Sequence, residues 1–415
     1  MNNQKVMNRG LVVVGAILIQ LALGAIYAWS VFTPSLIAEG WSKSDTQWVF
    51  AIGLASFAIF MVFSGKKLAS WGPQKLAWLG GLILGLGYIL AGLIGGTSFI
   101  SLVILLGLIG GAGIGIAYVV PIAVGMRWFP DKKGMITGLA VAGFGFGALL
   151  WVKLAGAWGH LIENLGLSTT FTIYGVAFAA MVILGGLWMK FPPAGWKPEG
   201  YEEKQTAGAT SSDDKEFTTG EMLGKVQFYL IFLTFVFSAG AGLMSIGLMK
   251  LYPMEALMAN GYTEVEASAI AGTAMAVFFS LANGLGRILW GMLSDKLGRK
   301  TSIIAMTAIQ GVVVILFTYM AGSEYMLYLG ATLIGFNFGG NFALFPTITA
   351  DTFGAKNVGL NYPWVFLAYG FGGIMGPILG GKLGDMGNFP LAFTIAGIAV
   401  LLGTVLTIMV KPAKK

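Results

Sequence analysis

The chain has 415 residues, 56% of them hydrophobic and only 10% charged, with 63 glycines. A soluble domain carries roughly a quarter charged residues, so most of this surface faces something other than water, which excludes an ordinary soluble enzyme. The net charge of +7 is read from its distribution rather than its sum, and in so apolar a chain it marks the cytoplasmic edge of a bilayer rather than a nucleic-acid partner.

A membrane-crossing helix needs about 20 apolar residues, so twelve of them use on the order of 300 residues with their interfacial ends. Apolar runs between polar breaks predict helices over 10–36, 47–64, 76–96, 99–127, 134–160 and 169–191, then 226–251, 266–292, 301–321, 325–350, 358–382 and 389–410. Residues 1–9 are too short and polar for a transit peptide, and the apolar run after them is too long for a cleaved signal, so it is expected to stay as the first helix. The polar stretch 192–225 shows no apolar periodicity and reads as a linker between an N-terminal half, 1–191, and a C-terminal half, 226–415. The expected fold is an all-α polytopic membrane protein of twelve spans in two six-helix pseudo-repeats. Cysteine is absent and His160 is the single histidine, so neither a disulfide, a metal site nor a cofactor is expected.

Basic residues set the orientation. Lys66, Lys67 and Lys75, then Arg127, Lys132 and Lys133, the linker lysines, and Lys296, Arg299 and Lys300 share the side of both termini. The other side holds Lys43, Lys250, Lys382 and Lys153. Both termini are therefore expected in the cytoplasm, with the protein in the plasma (inner) membrane. An internal repeat supports two halves: the segment from Gly65 to Gly72 recurs from Gly291 to Gly298, and Gly143-Phe144-Gly145 corresponds in place to Tyr369-Gly370-Phe371. Both pairs share an offset of 226 positions, 291 minus 65 and 369 minus 143. The glycine run Gly107, Gly110, Gly111, Gly113, Gly115 lacks the Lys-Ser/Thr of a phosphate loop and reads as close helix packing.

The turn Gly291, Asp295, Lys296, Gly298, Arg299, Lys300 resembles the cytoplasmic loop signature of the major facilitator superfamily; the first-half copy has Ala69 where the acid belongs. Gly291, Asp295, Gly298 and Arg299 are its conformational core. Arg127-Trp128-Phe129-Pro130-Asp131-Lys132-Lys133-Gly134, Gly220-Glu221-Met222-Leu223 and Ala343-Leu344-Phe345-Pro346 together resemble the oxalate/formate antiporter family, a branch near the monocarboxylate transporters. The resemblance spans nearly the whole chain and implies a major facilitator fold and transport of a small carboxylate.

Arg287 is the only cation well inside a predicted span. A charge at that depth costs a few kcal/mol even on insertion scales and is by default functional. Asn283 lies one turn above it on the same face, and the pair suits a carboxylate; by the 226 offset their first-half counterparts are Phe57 and Met61, a wall without charge. Family members that exchange a dicarboxylate pair the helix 8 cation with a second in helix 11, and the resemblance places that second position at Tyr369. One fixed charge suits one carboxylate, so a monocarboxylate such as lactate, pyruvate, formate or acetate is expected over oxalate. The resemblance also implies that Tyr27, Tyr118, Phe338 and Phe342 line the cavity, with Phe366 and Tyr369 completing an aromatic ring.

Lys153, in the outer third of predicted helix 5, is expected to top that helix and point to the outer interface; facing the cavity instead, it would keep a dicarboxylate exchanger open as a second cation, and His160 at that helix end, read as a solvated interfacial histidine, is a candidate for coupling. The expected mechanism is alternating access in a monomer. Moving a bare Arg charge through a sealed interior is costly, which favours exchange; proton symport is the rival, since monocarboxylate transporters are proton-coupled. Many of those carry an Asp one turn before the helix 8 Arg, where this chain has Asn283. A membrane anion sensor is the non-transport alternative. An enzyme is not expected, because no nucleophile, base and orienting group converge in any motif.

Overall fold

Long apolar stretches punctuated by capping residues have one low-energy answer in lipid, which is to satisfy every backbone group within a helix. The computed structural model describes residues 7–129, 133–193, 196, 198, 216–354, 357–411 and 413, and among them there are helices and no strand. Pro130, Asp131 and Lys132 of the basic motif, and most of the 192–225 linker, lie outside the described residues. The long helices are α1 Arg9–Val31, α2 Lys43–Trp71, α3 Pro73–Gly95, α4 Phe99–Gly125, α5 Lys133–Ala155, α6 Leu161–Gly186, α7 Val226–Leu248, α8 Glu264–Leu297, α9 Arg299–Met320, α10 Glu324–Phe353, α11 Val358–Asp385 and α12 Phe389–Met409. Eleven of these contain a stretch long and apolar enough to cross a membrane. The other, α10, has the length, 30 residues, or about 45 Å, but is diluted by Asn337, Asn341 and its glycines. All of these belong to its buried face.

The ends of the helices follow from local chemistry. Ser42 with Asp45 and Thr263 with Glu266 form reciprocal capping boxes that start α2 and α8. Gly72 (φ 79°) ends α2 and Gly298 (φ 85°) ends α8, each in a conformation that L side chains rarely adopt. These two turns are 226 residues apart, 298 minus 72, the spacing of the sequence repeat. We call the face carrying Gly72 and Gly298 proximal and the opposite face distal.

A second correspondence lies inside the bundle. A Cβ added at Gly115 of α4 would sit 2.3 Å from the Phe57 carbonyl and 3.0 Å from the Met61 amide of α2. One added at Gly339 of α10 would sit 2.2 Å from the Asn283 carbonyl and 3.2 Å from the Arg287 amide of α8. In both places a bare glycine lets two backbones meet.

Contacts across the 226-residue repeat run chiefly between α2 and α11 and between α5 and α8. On the distal face Asp385, at the end of α11, accepts from the backbone amides of Lys43 (2.8 Å) and Ser44 (3.1 Å) at the start of α2, and Lys43 Nζ pairs with Glu255. On the proximal face the chain before α7 is tied down: Phe217 carbonyl accepts from Asn357 Nδ2 (3.1 Å) and Asn361 Nδ2 (3.0 Å). Gly220 to Leu223 then form most of a short helix, Thr219–Leu223, opened by a Thr218–Glu221 capping box.

Two sequence expectations are corrected. The first span does not run on to residue 36: it tightens to 3-10 winding over Gly24–Val31, and a separate short helix covers Thr33–Ala38. The fifth span stops at Ala155, and His160 stands at the start of α6 with a left-handed backbone (φ 47°) rather than at the end of α5.

Candidate functional site

Arg287 lies in α8 and is fully buried. Its Nε donates to Asn283 Oδ1 at 2.9 Å, the contact that the four-residue spacing on one helix face makes available. The remaining donors lack a partner in good hydrogen-bond geometry: Arg287 Nη1, Arg287 Nη2 and Asn283 Nδ2 are buried, and the polar groups beside the guanidinium are the neutral hydroxyls of Tyr27 and Tyr118. Among the described residues no Asp or Glu is buried, and no carboxylate lies within ion-pair distance of the guanidinium.

What surrounds it is aromatic. Cζ of Arg287 lies 4.0 Å from the ring centre of Phe342 and 5.5 Å from that of Phe144. The phenols of Tyr27 and Tyr118 stand beside the guanidinium. Tyr369 Oη donates to Tyr27 Oη at 3.1 Å, and Phe366 stacks on Tyr369 at 4.9 Å and on Tyr118 at 5.8 Å. Phe338 closes the ring, edge-on to Tyr27 at 5.7 Å and to Phe342 at 5.4 Å. Asn283, Arg287 and these aromatic residues are each at most 3% exposed, so this conformation is sealed from both faces.

Such a site is expensive unless it is completed. A desolvated cation over an aromatic face gains about 2 kcal/mol, less than the several kcal/mol that burying an unpaired ion costs. The geometry leaves two parallel donor groups of a planar fork and one amide available to an anion, with rings on every other side. That combination suits a small oxyanion bearing little or no polar surface of its own.

Tyr27, Tyr118, Asn283, Arg287, Phe338, Phe342, Phe366 and Tyr369 are thus brought together. Phe57 and Phe144 join them without having been named as ligands: Phe57 meets Tyr118 at 4.9 Å and Tyr369 at 5.5 Å, and Phe144 meets Tyr27 at 5.0 Å. The signal for Phe57 was its place opposite Asn283 in the repeat; Phe144 carried no such signal, its counterpart at the 226 offset being Gly370. Gly145, next to it, admits α8 at this level, since a Cβ there would meet Asn283 Oδ1 at 2.9 Å.

Lys153 is not in the ring. Its Nζ reaches Thr273 Oγ1 at 3.3 Å near the distal end of α8, fourteen residues from Arg287, or roughly 20 Å along the helix. His160 is exposed on the distal face and its Nδ1 is 2.9 Å from Glu163 Oε2. The proximal loop residues assemble: Arg299 pairs with Asp295, donates to Ser294 Oγ, and lies 3.6 Å from Asp351 of α10, while Gly298 makes the turn and Gly291 accepts from Ser294.

Comparison with known proteins agrees with this architecture. The family model described as Major Facilitator Superfamily matches residues 13–272 and 251–415. The chain belongs to this superfamily. It is 30% identical over 372 residues to an Escherichia coli K12 protein named uncharacterized MFS-type transporter YhjX, covering 88% of this chain and 86% of that one. It is 27% identical over 408 residues to the oxalate:formate antiporter of Oxalobacter formigenes, covering 98% and 92%. It is 26% identical over 380 residues to apicoplast pyruvate carrier 1 of Toxoplasma gondii, covering 80% and 68%. This superfamily member is therefore a multi-pass membrane protein whose relatives are transporters rather than enzymes.

Proposed function

We propose that the chain is a secondary active transporter of small monocarboxylates, of the lactate, pyruvate, formate or acetate class, in which Arg287 binds the carboxylate. The observation that carries this reading is the pair of buried Nη groups, without a partner in good hydrogen-bond geometry, inside an aromatic ring. Tyr369 occupies the place of a second cation, so a dicarboxylate would bring one charge too many into the ring. The six-helix halves, 1–191 and 226–415, rock about this midplane site to give alternating access, with the linker and both termini on the cytoplasmic side.

Exchange is the coupling this reading adopts. Without substrate, reorientation carries a bare guanidinium through the closed ring; with a carboxylate bound, it carries a near-neutral pair. The absence of buried Asp or Glu among the described residues gives no fixed carboxylate to serve as a proton carrier. The Oxalobacter relative's printed name, an antiporter, favours the same coupling.

Uptake of labelled formate, pyruvate and oxalate into proteoliposomes tests the proposal. Arg287→Ala, folded by size-exclusion profile, is expected to lose uptake by about 100-fold or more, since stranding a paired charge costs ~3–5 kcal/mol. Uptake retained near the unsubstituted level would remove Arg287 from the mechanism.

A further inference from the structure

The distal face carries two lysines that transport through the ring does not use. Lys153 lies in the last turn of α5 and Lys250 just beyond the end of α7, so they come from opposite sides of the linker. Both turn toward the stretch of α8 from Ser268 to Thr273. Lys250 Nζ donates to the carbonyl and to Oγ of Ser268 (2.7 Å to Oγ), and a Cβ added at Gly272 would lie 3.4 Å from it; Lys153 Nζ reaches Thr273 Oγ1 at 3.3 Å. Lys250 is only 9% exposed.

Lys153 and Lys250 repel each other electrostatically, and neutral hydroxyls and carbonyls orient them without cancelling the charge. No carboxylate among the described residues lies within ion-pair distance of either. Most acids of this face are engaged elsewhere, Glu255 by Lys43, Asp385 by the amides that start α2, Glu163 by His160, and Glu266 by its own capping box, while Glu264, one turn before Ser268, is exposed and pairs with neither lysine.

We infer that Lys153 and Lys250 form a second anion-binding site, at the distal ends of α5, α7 and α8, which takes a compact carboxylate; that this carboxylate then passes to Arg287 rests on the transport reading above. The two charges sit where opening the distal face would expose them first. An anion bridging them relieves their repulsion and gathers substrate at the mouth of the path, as a like-charged cleft does. Converging from two sides of the bundle, the lysines hold the anion only while α5 and α7 remain near each other, so the site loosens its hold as the face opens.

Two measurements test this. In detergent-solubilised Arg287→Ala protein, formate or oxalate at low ionic strength should still raise the unfolding temperature, and adding Lys153→Gln with Lys250→Gln should remove the rise. No rise in Arg287→Ala, or a rise that survives the lysine changes, would overturn the inference. In reconstituted protein with Arg287 intact, the double lysine variant should slow uptake at sub-saturating substrate roughly ten-fold at low salt, keep the maximal rate, and converge on the unsubstituted protein as salt is added. The paired Lys→Arg variant should behave as the unsubstituted protein. A salt-independent loss, or a loss of maximal rate, would reduce the lysines to a structural role. Uptake persisting in Arg287→Ala would instead sink the central-site reading, leaving the lysine result to stand alone.

Discussion

Helices α2 and α8 are built alike and charged differently. Each starts on a capping box, ends on a left-handed glycine 226 residues from its counterpart, and lies against a bare glycine of another helix, Gly115 or Gly339, at matching backbone atoms. At that shared depth α2 presents Phe57 and Met61 and α8 presents Asn283 and Arg287, all of them buried. The turns differ in the same sense: Asp295 pairs with Arg299 after α8, where Ala69 and Pro73 hold the matching positions after α2. One backbone cradle thus carries an apolar wall on one side and a buried guanidinium with its amide on the other. On the transport reading proposed above, a clamp on one side suffices because a monocarboxylate has one charge to offer.

The largest effect that would separate the two cradles comes from their glycines. Gly339→Ala and Gly115→Ala each force a Cβ to within about 2.3 Å of a carbonyl and should cost about 1–3 kcal/mol of stability by overpacking, read by denaturation in detergent. Only Gly339→Ala should also weaken anion binding, because only its clash moves the backbone of Asn283 and Arg287; equal binding loss in both would erase the distinction. Tyr369→Lys gives the site a second charge and should turn preference toward oxalate by roughly ten-fold, about 1.4 kcal/mol, in a competition panel against labelled formate. An unchanged panel would leave Tyr369 as wall only. Smallest is the turn: Asp295→Asn should slow turnover by about two- to five-fold, as expected of a half-exposed ion pair, with KM held, whereas Ala69→Asp should do nothing measurable. A KM change in Asp295→Asn would place that turn in binding rather than motion.

Much of this was legible in the sequence because lipid simplifies the code. Apolar runs located the helices, and the scarcity of charge singled out Arg287, whose four-residue spacing from Asn283 fixed their contact in advance. Two things escaped. The 3-10 winding at Gly24–Val31 and the wide π turns at Val103–Gly110 and Ala274–Phe279 answer to packing partners, not to local propensity, since nothing in Gly-Ala-Ile-Tyr distinguishes them from ordinary helix. Phe144 could not be told from the other phenylalanines by composition, and only the crossing of α5 over α1 and α8 turns it inward. Lys153, by contrast, was expected to top its helix and face the outer interface rather than the cavity. At the distal rim Thr273 receives it.

The bond between Asp385 and the amides of Lys43 and Ser44 bears on the alternating access proposed above, in which this face would open and close. A carboxylate bonded to the free amides of a helix start is a contact that water replaces well, so its net worth is only about 1.5–3 kcal/mol, although the separated groups interact strongly. Parting α2 from α11 on that face therefore exchanges one set of satisfied groups for another, and no buried orphan is created. A seam of this kind is a zip fastener rather than a weld: it holds register while shut, opens at thermal cost, and leaves both edges intact for the next cycle.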